Sequence, residues 1–173
     1  MQLVELIPII FALILSLFAL SLSLSFLFGP PYLPTPKRVI KEMLDLTKVA
    51  KGDVVIDLGS GDGVVLIEAA LRGADARGWE INPFLVLWTR IRARIKNLHN
   101  KISVYAKPYQ KANLQGASVI FCYNMPQFMH LIKKKLYEET SENVKIVSFK
   151  FPIPGLSLIK ETPSGIYLYS LKK

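Results

Sequence analysis

A short stretch, Val55-Ile56-Asp57-Leu58-Gly59-Ser60-Gly61-Asp62-Gly63, constrains this chain more than any other. A continuous apolar run reads as a buried strand, and it ends in an acid followed by a glycine-rich turn. The turn opens into an apolar segment, Val64–Leu71, that reads as a helix. Strand, glycine turn and helix form the first half of a βαβ unit, and the remaining sequence repeats the alternation. Strands are expected at Val54–Leu58, Ala74–Glu80, Ile102–Tyr105, Ser118–Tyr123 and Val144–Phe151. Helices are expected between them: one opened by Asn82 as cap and Pro83 at its first position, another at Gln127–Glu138. The first is read with Phe84, Leu87, Trp88, Ile91, Ile95 and Leu98 as its apolar face, the second with Phe128, Leu131, Ile132 and Leu136. Leu156–Lys160 and Ile166–Leu171 read as a closing antiparallel hairpin. The fold class is α/β: a Rossmann-like, mostly parallel sheet with helices on both faces and an antiparallel C-terminal hairpin.

Ahead of this domain, Leu6 to Phe28 carries no charged residue. About 20 apolar residues at ~1.5 Å each span a hydrocarbon core of ~30 Å. Ser16, Ser21, Ser23 and Ser25 are tolerable there because a serine hydroxyl can bond back to its own helix. A cleaved signal peptide would want basic residues before a shorter run and a small-residue cleavage site, and neither is present. Residues 1–28 are therefore read as a transmembrane anchor, 29–36 as a proline-rich linker and 37–173 as the α/β domain. Thr35 and Pro36 read as cap and first residue of the next helix, whose stripe is Val39, Met43, Leu46 and Ala50 with Ile40, Leu44 and Thr47 beside it. Lys37, Arg38 and Lys41 follow the anchor and no Lys or Arg precedes it, which places the domain on the cytoplasmic side, or the matrix side in an organelle. A single cysteine, Cys122, excludes an intramolecular disulfide, and His99 and His130 match no metal-ligand spacing, so no metal is expected.

The glycine turn is G-x-G-x-G, since the third glycine of a dinucleotide motif would fall at Val64. Carboxylates at Asp57 and Asp62 disfavour a pyrophosphate and suit a cationic ligand. S-adenosylmethionine carries both a sulfonium and an α-amino group. Glu80 ends the second strand 17 residues after Gly63, where an acid can accept bonds from both ribose hydroxyls. A strand-end acid is expected to pack against little else. Asp57, Gly59, Ser60, Gly61, Asp62, Gly63, Glu80, Ile81, Asn82 and Thr35 form the candidate cofactor-binding set.

These residues resemble the class I, seven-strand S-adenosylmethionine-dependent methyltransferases. The resemblance is closer to the membrane-anchored protein-lysine methyltransferases whose mitochondrial members modify the ATP synthase C-subunit and the adenine nucleotide translocase. It is carried by Pro-Tyr-Leu-Pro-Thr-Pro at 31–36, Asp-Leu-Gly-Ser-Gly-Asp-Gly at 57–63, Glu-Ile-Asn-Pro at 80–83, Pro126-Gln127 and Phe151-Pro152. It implies an N-methyltransferase acting on lysine in a membrane protein. One departure stands out: related enzymes carry an acid or amide after the third strand, near the adenine amino group. Here the chain reads Ala106-Lys107-Pro108-Tyr109-Gln110, leaving Gln110 or a backbone group for that task.

On the acceptor side, Tyr123, Asn124, Met125 and Pro126 follow the fourth strand at the carboxyl edge of the sheet, where such folds bind ligands. Asn124 could orient an amine through its side-chain oxygen, Tyr123 could line an aromatic channel, and Tyr32 could close the pocket. These three are the candidate catalytic residues. Asn124-Met125-Pro126-Gln127 lacks the second proline and stacking aromatic that a flipped base would need. The net charge is +9, with Arg90, Arg92, Arg94 and Lys96 and the run Lys133-Lys134-Lys135 contributing. A domain tethered to a bilayer meets anionic headgroups, so the basic surface is read as a membrane-lipid contact, with no nucleic-acid partner expected. A methyltransferase of a lipid or membrane-soluble small molecule, or a non-catalytic scaffold on the same fold, are the competing readings.

Overall fold

In a computed structural model, residues 3–28 and 32–171 are described. The start of the linker, residues 29–31, lies outside them. The first helix, α1, covers Leu3–Phe28. Ser16 donates to the Ala12 carbonyl at 2.8 Å and Ser23 to that of Ala19 at 3.0 Å, as expected of serines in an apolar helix. The fully described stretch of α1 is residues 6–20, which rise about 22 Å against the ~30 Å of a hydrocarbon core. Among the described residues no helix is long and apolar enough to cross a membrane, so the span expected over 1–28 stays a reading of the sequence.

Beyond the linker come α2 (Lys37–Thr47), β1 (Val54–Leu58), α3 (Val64–Leu71), β2 (Asp75–Glu80), α4 (Pro83–Ile95) and β3 (Ile102–Ala106). A short 3-10 turn at Tyr109–Lys111 leads to β4 (Val119–Cys122), α5 (Pro126–Glu139), β5 (Lys145–Phe149), β6 (Ser157–Glu161) and β7 (Ile166–Ser170). The seven strands form one sheet in the order β3-β2-β1-β4-β5-β7-β6. The first five are parallel, while β7 runs antiparallel between β5 and β6. The Rossmann-like sheet and antiparallel hairpin are as the alternation predicts.

β1 is central and buried on both faces, so alternate residues feed two cores. Val55 packs with Ile40, Leu44, Leu66 and Val86 from α2, α3 and α4. Ile56 and Leu58 pack with Met129, Ile132 and Leu136 from α5 on the other face. Gly78 sits inside β2 because a Cβ there would lie 2.6 Å from both the Leu66 side chain and Ser60 Oγ.

Three details correct the sequence reading. The N-cap of α2 is Pro36, with ψ at 136° and no side-chain cap, so the helix begins at Lys37 and Thr35 does not cap it. In α5, Met129 takes the core position expected of Leu131, which is exposed. The third is the largest. The residues α4 buries are Val86, Thr89 and Ala93, while Phe84, Leu87, Trp88, Ile91 and Ile95 are exposed. Small side chains let α4 lie close on β2 and β3, and the bulky stripe is left on the outside.

Candidate active site

The strand order reverses between β1 and β4, and a crevice forms there at the carboxyl ends of the strands. It holds a cavity of about 350 Å³, within the range of small-molecule sites. Asp57 and the glycine turn come from β1, Glu80 and Ile81 from β2, Asn82 and Leu85 from the start of α4, and Asn124 and Tyr123 from the end of β4. Tyr32, Leu33 and Thr35 of the linker reach over it. Of the candidate residues, only Gly63 is set back from the cavity. At φ +74° it is the N-cap of α3, and a Cβ would collide with the Thr89 side chain. Its task is to let α3 and α4 close together.

Glu80 is tied into the backbone on both oxygens. The Gly61 N–H donates to its Oε2 at 2.9 Å and the Asn82 N–H to its Oε1 at 2.8 Å. It therefore braces the glycine turn against the start of α4, rather than packing against little. Burial raises its pKa, and the amides of Asn82, Gly61 and Ile81 oppose the rise. Each carboxylate oxygen has two lone pairs, so acceptor capacity remains. Asn82 caps α4 by accepting from the Phe84 and Leu85 amides at 3.0 and 3.3 Å.

The two aspartates differ. The carboxylate of Asp62 is held by Arg92 at 3.0 Å and accepts from the Tyr32 hydroxyl. Asp62 thereby pins the linker to the glycine turn, and it also lines the cavity. Burial and this carboxylate push the Tyr32 phenol up to about 12, so it stays protonated as the donor. Its ring lies against Gly61, where a Cβ would come within 2.6 Å. Asp57 is buried at the cavity wall. Burial first, then the neighbouring Glu80 and Asp62 charges, push its carboxyl up to about 7. A cation arriving in the cavity would reverse that.

At the other end, Asn124 is buried and its amide nitrogen donates to the Leu58 carbonyl at 3.2 Å, which fixes the plane of the side chain. Tyr123 meets Phe149 edge-on at 5.0 Å and lies at 25° to Phe151 at 6.2 Å. The Lys150 ammonium stands 5.8 Å from the Tyr123 ring centre, so this wall already accepts an alkylammonium on its face.

Tyr109, Phe128 and Trp79 also line the cavity and were not singled out from the sequence. Tyr109 depends on chain direction after β3, Phe128 on the pitch of α5 and Trp79 on which face of β2 meets the crevice, none of which leaves a local motif. Ser60 Oγ and Tyr109 Oη are buried with no hydrogen-bond partner among the described residues. Two orphaned hydroxyls in a cavity floored by acids suit a polar, cationic ligand such as S-adenosylmethionine. Tyr109 and Gln110 stand where an acid is missing after β3. Among the described residues no cluster could hold a metal ion.

Residues 57–160 match the family model described as the ANTKMT methyltransferase domain. The chain belongs to that family. It is 31% identical over 136 residues to the ATP synthase C-subunit lysine N-methyltransferase of Homo sapiens, covering 79% of this chain and 58% of that protein. The chain thus spans a little over half the length of this relative. It is 32% identical over 132 residues to a protein-lysine N-methyltransferase of Saccharolobus islandicus, covering 72% of this chain and 79% of the relative. Among solved structures, an RNA methyltransferase from Salinibacter ruber in complex with S-adenosyl-L-homocysteine is 30% identical, with a TM-score of 0.79 over 82% of this chain and 95% of that one. The resemblance read from the motifs holds: this is an S-adenosylmethionine-dependent methyltransferase domain of the ANTKMT type.

Proposed function

We propose that the protein methylates a lysine ε-amine of a membrane protein, such as an ATP synthase C-subunit or a nucleotide translocase, from a membrane to which α1 anchors it. The observation that carries this reading is one continuous cavity in which the acidic pair Asp57 and Glu80 leads to the Asn124 and Tyr123 end. The lysine methyltransferase relatives support the acceptor class. The cofactor supplies a methyl carbon made electrophilic by its sulfonium.

The chain's own residues do the rest by positioning. Glu80 accepts from the ribose hydroxyls, Ser60 and Gln110 offer polar groups to the ends of the ligand, and Asp57 balances its positive charge. Tyr32, held by Asp62, covers the glycine turn and keeps water out. On the acceptor side the Tyr123 ring, whose face already holds the Lys150 ammonium, guides an alkylammonium side chain in, and the amine reacts once it has lost its proton and freed its lone pair. With the amide nitrogen of Asn124 committed to Leu58, its side-chain oxygen serves as the acceptor that aims the amine's N–H and hence its lone pair. The proposed division into anchor 1–28, linker 29–36 and domain 37–173 places this cavity directly beyond the linker, on the cytoplasmic or matrix side.

Methyl-tritium transfer from labelled cofactor into membrane fractions, resolved into protein, lipid and RNA, tests the reading. Label in protein, recovered as methyl-lysine on hydrolysis, is expected. Label confined to lipid or to RNA overturns it.

A further inference from the structure

α4 turns its largest apolar side chains away from the protein. Phe84, Leu87, Trp88, Ile91 and Ile95 are 36%, 54%, 52%, 41% and 75% exposed. Their spacing places them on one stripe, opposite the buried Val86, Thr89 and Ala93. Arg90 and Arg94 border the stripe on one side, Arg92 and Lys96 on the other. Arg92 is committed to Asp62 and Arg90 to the Val104 carbonyl, while Arg94 and Lys96 are exposed. Phe18 of α1 meets Phe84 edge-on at 5.9 Å, so the apolar surface of α1 continues onto the stripe.

We infer that α4 is a membrane-contact helix, lying in the plane of an anionic lipid surface with its apolar stripe in the headgroup–acyl boundary. An apolar stripe flanked by basic residues is the pattern of an interfacial helix, and the cations on its borders complement lipid phosphates. The same borders oppose a second copy of the chain, because a two-fold contact along the stripe would bring arginines toward arginines. Continuity with α1 points to the same bilayer. The consequence is geometric. Asn82 and Leu85, at the start of α4, line the cavity, so a seated α4 holds the cavity near the bilayer surface. A lysine at the lipid–water boundary of a membrane protein is then within reach. The inference rests on the membrane reading above, and its test separates the two.

The full chain is incorporated into phosphatidylcholine–phosphatidylserine vesicles carrying bromine-labelled acyl chains. Trp88 is one of two tryptophans, and the difference between wild type and Trp88→Phe isolates its emission without touching Trp79 in the cavity wall. A blue-shifted Trp88 signal, quenched several-fold by the bromolipid, is expected. Carbonate extraction of the same vesicles reports on α1 separately. Unquenched Trp88 in protein that resists extraction overturns the inference and leaves the anchor standing. Quenched Trp88 in protein that carbonate removes upholds the inference and overturns the anchor. The triple variant Leu87→Gln/Ile91→Gln/Ile95→Gln changes only outward side chains and should keep its circular dichroism. Its Trp88 quenching should fall to background, and unchanged quenching overturns the inference. So does a lipid-free cross-linked dimer in which Trp88 is shielded.

Discussion

The Glu80 carboxylate is tied to the Gly61 and Asn82 amides before any ligand arrives. Its replacement therefore acts twice, on ligand bonds and on the glycine turn. Glu80→Ala is expected to weaken S-adenosylmethionine binding by about 2–4 kcal/mol, since each charge-assisted bond contributes about 1.5–3 kcal/mol and water recovers part. That is about a 30- to 1000-fold rise in Kd by calorimetry. It should also lower the Tm of the empty protein, an effect absent if the acid served the ligand alone. Glu80→Gln should be milder in both. Asp57 gives a pH signature. Its folded-state carboxyl, at about 7, lies above the ordinary 3.8, so the folded chain holds this proton more tightly than the unfolded one. Its contribution to the stability of the empty protein is therefore full below about pH 4 and is lost as pH rises through 7. Ligand affinity should move the other way, rising toward pH 7 as the carboxylate forms. Asp57→Asn should flatten both profiles in thermal melts and calorimetry, and a slope that survives the substitution assigns it to another group. The sequence announced both acids through strand-end position and spacing. It did not announce that Asp62 pairs with Arg92 and Tyr32, because those partners arrive from elements 30 residues away on either side.

α4 begins at the cavity and presents its bulky face outward, so a ligand held in the cavity would meet the residue that caps the helix. Asn82→Ala removes an acceptor for the Phe84 and Leu85 amides. A loss of about 1 kcal/mol in denaturant unfolding is expected, with little change in m-value. Because Asn82 also lines the cavity, saturating cofactor should recover less of the loss than it recovers for an equally destabilising core substitution distant from the cavity. The cap and Pro83 were legible because capping is a local signal read from neighbouring residues. Which side of α4 faces the sheet was not. Hydrophobic periodicity marks a stripe but not what covers it, and here close approach favours Val86, Thr89 and Ala93 over the larger residues.

At the scale of the whole molecule, the proposed topology makes the anchor and the basic flank separable. Protease added outside spheroplasts or sealed organelles should leave the domain intact, and Lys37→Glu/Arg38→Glu/Lys41→Glu should increase the fraction digested, because orientation follows the basic residues beside the span. Digestion of the wild-type domain from outside would reverse the orientation. The sequence by itself determined the order of strands and helices, the glycine turn, the two strand-end acids and the family, because each is written in local period, turn chemistry and short spacing. Only the tertiary structure decided that Glu80 braces the turn it faces, that Tyr32 is strapped down through Asp62, that Tyr109 joins the cavity and that α4 shows its apolar face to the outside. Each of these depends on which distant elements the chain brings to one sheet edge, and long-range proximity leaves no mark in a single sequence.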